Sequence, residues 1–463
     1  MVYILIKKKL ELKPSIDEIY FVFNNIEVKS TNNTLEITFI TIIEDFYSLD
    51  EADRLIRADF LIILGILSFI SQDHYDVADI SEGYKMRINQ TAIFPDNVTI
   101  LKINNIDYSN HLVDLLKNIN SAPQEEQNLF YSVLDRWRKA QYYLIKDHSE
   151  GLNLDPIRDV DEALLSFFHI LELLVTLYEN EQTDIATQYI GEFLLEFYDK
   201  THLCKNRQIP NKVSEKKKLL KELLFDNHSI SSKIFFMLKK QGLLEDRTEH
   251  FISEIVNARN SVAHGRSVYT KNLIWPLPAF FSIHDHDRGF VYDLYVLTAR
   301  VLSIHWKSKF WEQEWQECLN MLIPSPYVIK EFIKNKEYIH ISFSNFLDGT
   351  NNHIIPAHLL SMALYKKISI QDFELVMEPF IIDIIACDYN NFNPMIGDPM
   401  LYFILLADSQ NQKISQHCQN QILRAKRDSS LVLTSNIKDY ISIFQSKNLN
   451  PIWFHNLFLQ KNN

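Results

Sequence analysis

Between Pro123 and Pro324 apolar residues recur at i, i+3 and i+4 in seven successive segments: 124–146, 159–179, 184–199, 214–225, 231–241, 247–264 and 292–322. That period places one apolar stripe on each of seven helices, and such stripes are satisfied only by packing against one another. In the second segment Leu164, Leu165, Phe168, Leu171, Leu174, Val175 and Tyr178 share a broad face. Asp155-Pro156 breaks the chain before it, and Pro276 and Pro278 punctuate the stretch before the last helix. The centre of the chain therefore reads as a helical bundle.

The flanks read differently. Val2–Ile6, Ile19–Phe23, Thr34–Ile40 and Thr99–Ile103 are rich in β-branched and aromatic residues, with turn chemistry at Asn24-Asn25 and Asn32-Asn33. Ser48-Leu49-Asp50-Glu51 is a capping-box pattern and opens an expected helix running to about Ile70. Its apolar run from Phe60 to Ile70 is too short for a bilayer, which needs about 20 residues, and reads as a buried helix. Pro324-Ser325-Pro326 breaks the chain again, and the rest is mainly helical with loops at Asp348–Asn352 and Asn390–Pro394. The expected fold is mainly α: an α+β domain over 1–120, a helical bundle over 121–325 and a mainly helical region over 326–463.

Composition narrows the class. In 463 residues, 46% hydrophobic with 9 Gly and 14 Pro, there is ample core and no low-complexity tract. The net charge of −12 means that any nucleic-acid contact has to use a local basic surface. Cys204, Cys318, Cys387 and Cys418 are widely spaced and form no C-x-x-C pair, so neither a zinc site nor a disulfide framework is signalled. Apolar residues precede Lys7-Lys8-Lys9 and are too few for a secretory signal, so a cytoplasmic protein with no membrane partner is expected.

The stretch that carries chemistry is Asn257-Ala258-Arg259-Asn260-Ser261-Val262-Ala263-His264-Gly265. Phe251, Ile255, Ala258 and Val262 form the expected inward stripe, leaving Asn260 and His264, four apart, stacked on one face. Arg259 lies around the helix from His264, but its long side chain reaches towards that face. Gly265 is placed to end the helix, which puts the imidazole in its final turn. A guanidinium can hold phosphodiester oxygens and an imidazole can move protons near neutrality. In RNA the 2′-hydroxyl supplies the nucleophile, so neither metal nor cofactor is required.

At Arg259-Asn260-x-x-x-His264 the chain resembles the HEPN superfamily, whose signature is an Arg, four to six residues and a His, with a polar residue directly after the Arg. The preceding hairpins, with Asp161-Glu162-Ala163-Leu164-Leu165 leading to Leu171-Glu172, look like the ApeA-like branch of phage-defence proteins. The resemblance covers residues 125–320. It implies a HEPN-like bundle that cleaves RNA without metal at a composite site, where two motifs meet across a two-fold homodimer of the central bundle. It further implies a toxin or abortive-infection effector, and domain order suggests control of it through 1–120 by a phage-derived or cellular trigger.

Glu172 and Glu179, seven apart, share a face of the 159–179 helix, and either could orient Arg259 or His264, although solvated or paired glutamates are the commoner case. Residues 200–249 hold 12 basic and 6 acidic residues, and Lys216, Lys217, Lys218, Lys221, Lys239 and Lys240 could track an RNA backbone. A second Arg–His match, Arg300 to His305, lacks the polar residue after the Arg and reads as structural. Arg136-Trp137-Arg138-Lys139 with Tyr142 and Tyr143 could stack on bases, although aromatics at helical spacing are more often core. His284-Asp285-His286-Asp287 lacks the partners from several helices that a metal centre of this kind needs. No Gly-rich phosphate loop supports a nucleotidyltransferase. The alternative to a nuclease is a non-catalytic helical dimerisation or adaptor protein.

Overall fold

The computed structural model describes residues 2–31, 33–43, 49–88, 94, 99–145, 160–225, 229–263, 288–349, 353–386, 395–427 and 440–459 except 442 and 446. Its described residues fall into two compact units. The first comprises those of Met1–Leu244, Ile255–Ser267 and Pro278–Trp315, the second those of Glu245–Glu254 and Gln316–Asn463.

The first unit begins with an antiparallel sheet. Strands β1 (Val2–Glu11), β2 (Ile16–Phe23), β3 (Ile26–Thr31), β4 (Thr34–Ile43), β5 (Ile80–Ile88), β6 (Ile100–Ile103) and β7 (Ile106–Asp107) lie in the order β5-β1-β4-β3-β2-β6-β7. The β2–β3 and β6–β7 hairpins turn on Asn24-Asn25 and Asn104-Asn105, all four with positive φ. Two-residue hairpins require that left-handed pair, and asparagine tolerates it because its short amide bonds locally. Alternate residues Ile4, Ile6, Ile37 and Phe39 bury one face. The expected helix over 48–70 is interrupted at Ile56, giving α1 (Leu49–Leu55) and α2 (Arg57–Ser71), while Ser48 lies outside the described residues. Helix α2 is largely buried from Phe60 onwards, with the Phe60 ring 5.9 Å from that of Phe39.

Along the chain there follow α3 (Ser109–Ser121), α4 (Gln124–Ile145), α5 (Val160–Val175), α6 (Glu179–Thr201), α7 (Ile209–Phe225), α8 (Ile230–Lys240), α9 (Asp246–Ala263), α10 (Arg288–His305) and α11 (Glu312–Met321). Gly65 lets α2 press against α4: a Cβ there would sit 2.7 Å from the Leu134 carbonyl oxygen. Trp137 of α4 is fully buried, its ring packed on Phe69, Phe167, Tyr295 and Trp311. It belongs to the core and is closed to nucleobases.

Two expected helices are each divided. The one over 159–179 stops at Val175, because Thr176, Leu177 and Tyr178 bond back three residues rather than four. The one over 292–322 becomes α10 and α11. Lys307 turns left-handed at φ 54°, and the Ser308 and Lys307 amides close on the Ser303 and Ile304 carbonyls, a Schellman stop without glycine.

The second unit adds α12 (Pro326–Lys334), α13 (Phe343–Leu347), α14 (Pro356–Leu364), α15 (Ile370–Met377), α16 (Ile381–Ala386), α17 (Pro399–Leu406), α18 (Gln412–Arg427) and α19 (Ile452–Leu459). Ser325, Ser342 and Ser369 cap three of these short helices, and Phe332, Phe346, Phe373, Tyr402 and Phe454 fill their shared core. Among the described residues no helix is long and apolar enough to cross a membrane.

His358 of α14 is 2% exposed, its Nδ1 accepting from the Ile355 amide and its Nε2 lying 3.1 Å from the Met321 carbonyl. That pairing suits a neutral ring, and burial, aided by the nearby Arg247 charge, holds its pKa down at about 4. The unfolded chain, with a value of about 6.5, takes up the proton first. This contribution is therefore present above about 6.5 and lost as the pH falls through about 4, an effect of about 3 kcal/mol. Urea midpoints measured from pH 7.5 to 4.5 should fall less steeply for His358→Gln than for the wild type; equal slopes would contradict the assignment.

Candidate functional site

Helix α9 starts with Asp246 and Glu249 in its first turn, where the helix dipole favours carboxylates. Phe251, Ile252, Ile255 and Ala258 are buried along it, whereas Val262, expected on that stripe, is only partly covered. Arg259 and Asn260 follow on a partly exposed face. His264 and Gly265 lie outside the described residues.

Arg259 is held from three sides. Its Nη2 donates to Glu172 Oε1 of α5 at 2.7 Å, and its Nη1 donates to Asn260 Oδ1 at 3.2 Å. Its guanidinium carbon lies 5.5 Å from the centre of the Phe168 ring. The remaining donor, Nε, is buried and has no partner among the described residues. An unmatched buried N–H costs about 1–3 kcal/mol, and because this one is enclosed an incoming oxygen would meet Nη1 or Nη2 instead. The side chains of Arg259 and Glu172 are 25% and 24% exposed, enough for solvent or a ligand to reach them.

The pair exists because α5 and α9 each bury an apolar stripe and carry polar residues at its edge. On α5, Ala163, Leu164, Phe167, Phe168, Leu171 and Leu174 are buried, leaving Glu172 and, one turn earlier, His169 at the boundary. His169 Nε2 is 3.6 Å from Glu172 Oε2. The site thus contains an imidazole that sequence reasoning passed over. Its signal was the His-x-x-Glu spacing on α5, which puts both residues on one face.

Glu179 is not part of this cluster. Because the helix ends at Val175, Glu179 starts α6 and pairs instead with Lys233 of α8 at 2.6 Å. Of the basic residues, Lys216 lies 3.6 Å from Glu215, Lys240 pairs with Glu181, and Lys217 extends over Gly191 of α6. Lys218, Lys221 and Lys239 are exposed.

The second Arg–His match is bound into the protein interior. Arg300 faces Glu312 at 3.4 Å, while His305 Nε2 lies 3.1 Å from Glu126 and its Nδ1 3.4 Å from the Tyr178 hydroxyl. Burial lowers the His305 pKa and raises that of Tyr178, as expected for a neutral hydrogen-bonded pin. Arg138, beside Trp137, is likewise committed, to Asp76 and Asp135.

The chain matches no family model, and neither a curated protein nor a solved structure matches it. The site's chemistry accordingly rests on its own geometry. Among the described residues no three His, Cys, Asp or Glu side chains converge to hold a metal, and His284 to Asp287 lie outside them. What the cluster offers is an oriented guanidinium, the Asn260 amide nitrogen, which has no partner among the described residues, and the His169 imidazole: donors for an anionic oxygen and a group that can carry a proton.

Proposed function

We propose that this chain is a HEPN-type endoribonuclease, of the ApeA-like branch, which cleaves RNA without metal as a cytoplasmic toxin or antiphage effector. The observation that supports this best is the Glu172–Arg259–Asn260 arrangement. A carboxylate from a neighbouring helix aims the guanidinium while leaving N–H groups for a phosphate. Arg259 then binds the scissile phosphodiester, Asn260 orients it, and His264 serves as acid or base.

In the reaction the RNA 2′-oxygen bonds to phosphorus while its proton passes to one imidazole. The P–O5′ bond breaks as the leaving oxygen takes a proton from a second, His264 of the partner subunit. The products are a 2′,3′-cyclic phosphate and a 5′-hydroxyl. Within one protomer His169 holds Glu172 from its other oxygen in this reading.

An assembly of two chains through the bundle accords with α6. Its Tyr189, Phe193 and Phe197, four apart on one face, are 68%, 60% and 39% exposed. The same face favours the second reading, a non-catalytic adaptor that uses the bundle to pair or to recruit. Overexpression separates the two: the nuclease arrests growth in a His264-dependent way, whereas an adaptor's effect survives His264→Ala. Cleavage of total RNA should also proceed at an unchanged rate in EDTA; a requirement for added Mg²⁺ would point to a different mechanism. Residues 1–120 are the proposed receiver of the phage-derived or cellular trigger.

A further inference from the structure

A second polar cluster lies wholly within the second unit and is untouched by the nuclease reading. A cavity of about 380 Å³, within the usual range for small-molecule sites, is lined by Arg247, Asn320, Asp348, His353, Ile355 and Met395 among others. Arg247 forms its charged wall. The residue is 4% exposed, its Nε donates to Glu245 at 2.5 Å and its Nη1 to the Leu319 carbonyl at 2.6 Å. Its Nη2 has no hydrogen-bond partner among the described residues and is not among the fully enclosed polar atoms, in a residue that lines the cavity.

We infer that this cavity binds a small organic molecule through one anionic group, a phosphate or a carboxylate, seated on Arg247 Nη2. Two of the five guanidinium donors fix the plane of the fork, which leaves those on Nη2 for a charge-assisted bond to an oxyanion. Glu245, whose side chain is 40% exposed, is screened by solvent, and the guanidinium keeps its charge at any working pH. Asp348, also in the lining, sets the remaining chemistry. It repels a polyanion and accepts hydrogen bonds, so the ligand carries a single anionic end and donor groups on its body. Ile355 and Met395 provide apolar walls for that body.

The test uses the full chain and isothermal titration with inorganic phosphate, AMP, ATP, succinate and gluconate. A molecule with one anionic end and donors, AMP or gluconate, is expected to bind at least tenfold more tightly than ATP or succinate, and which of the two wins separates phosphate from carboxylate recognition. Arg247→Gln should abolish binding. Because that variant also loses a bond to Leu319, Asn320→Asp provides an exposed, fold-neutral control that adds a negative charge to the lining and should weaken binding tenfold or more. Binding of none of the probes at 10 mM overturns the inference, as does binding that both variants retain.

Discussion

Arg259→Ala is expected to reduce RNA cleavage by at least about 100-fold, the scale set by losing one preorganised donor to a charged transition state. The fold should hardly notice. Arg259 and Glu172 keep a quarter of their surface in water, so the pair contributes about 1 kcal/mol or less to stability. Arg259→Lys should fail almost as badly, because an ammonium cannot hold Glu172, Asn260 and a phosphate oxygen in one plane. Glu172→Gln keeps a hydrogen-bond acceptor but loses the charge that aims the fork, and should cost about 10- to 100-fold through misplacement. A double variant is informative here. If Glu172 acts only through Arg259, adding Glu172→Gln to Arg259→Ala lowers activity no further. Additive losses would give Glu172 a separate role, such as holding His169.

The largest stability effect should come from Trp137→Ala. Its ring is fully buried and touches four other aromatic rings, so truncation removes both transfer free energy and packing, about 3–5 kcal/mol. Trp137→Phe should cost less, since the indole Nε1 has no partner among the described residues and its loss strands nothing. Denaturant unfolding measures both. A change below about 1 kcal/mol for the alanine variant, together with weakened RNA binding, would return Trp137 to the surface role its sequence neighbours Arg136, Arg138 and Lys139 suggest.

Helical period alone located α4, α8 and α9 to within a residue or two, because each buries one continuous stripe. It missed the breaks at 176–178 and 306–311. Neither contains Gly or Pro, and both are made by backbone bonds that only a settled tertiary position selects, with Lys307 accepting a left-handed conformation unusual for its type. The first of those misses carried through to the site. Reading 159–179 as one helix put Glu179 on the face of Glu172, whereas the turn sends it to Lys233. Arg259 and Asn260 were legible because their spacing is local to one helix. The sequence offers Glu172 beside Glu179 as a carboxylate that could orient Arg259, but the contact spans 87 residues of sequence and helical spacing alone could not choose between the two. His169 was legible in principle, as one of a pair three apart on α5.

The most direct measurement is end-group analysis of RNA after incubation with purified protein in excess chelator, wild type beside His264→Ala. The account predicts fragments ending in 2′,3′-cyclic phosphate and 5′-hydroxyl from the wild type and none above background from the variant. Cleavage by both proteins, or fragments bearing 3′-hydroxyl and 5′-phosphate ends, would contradict it.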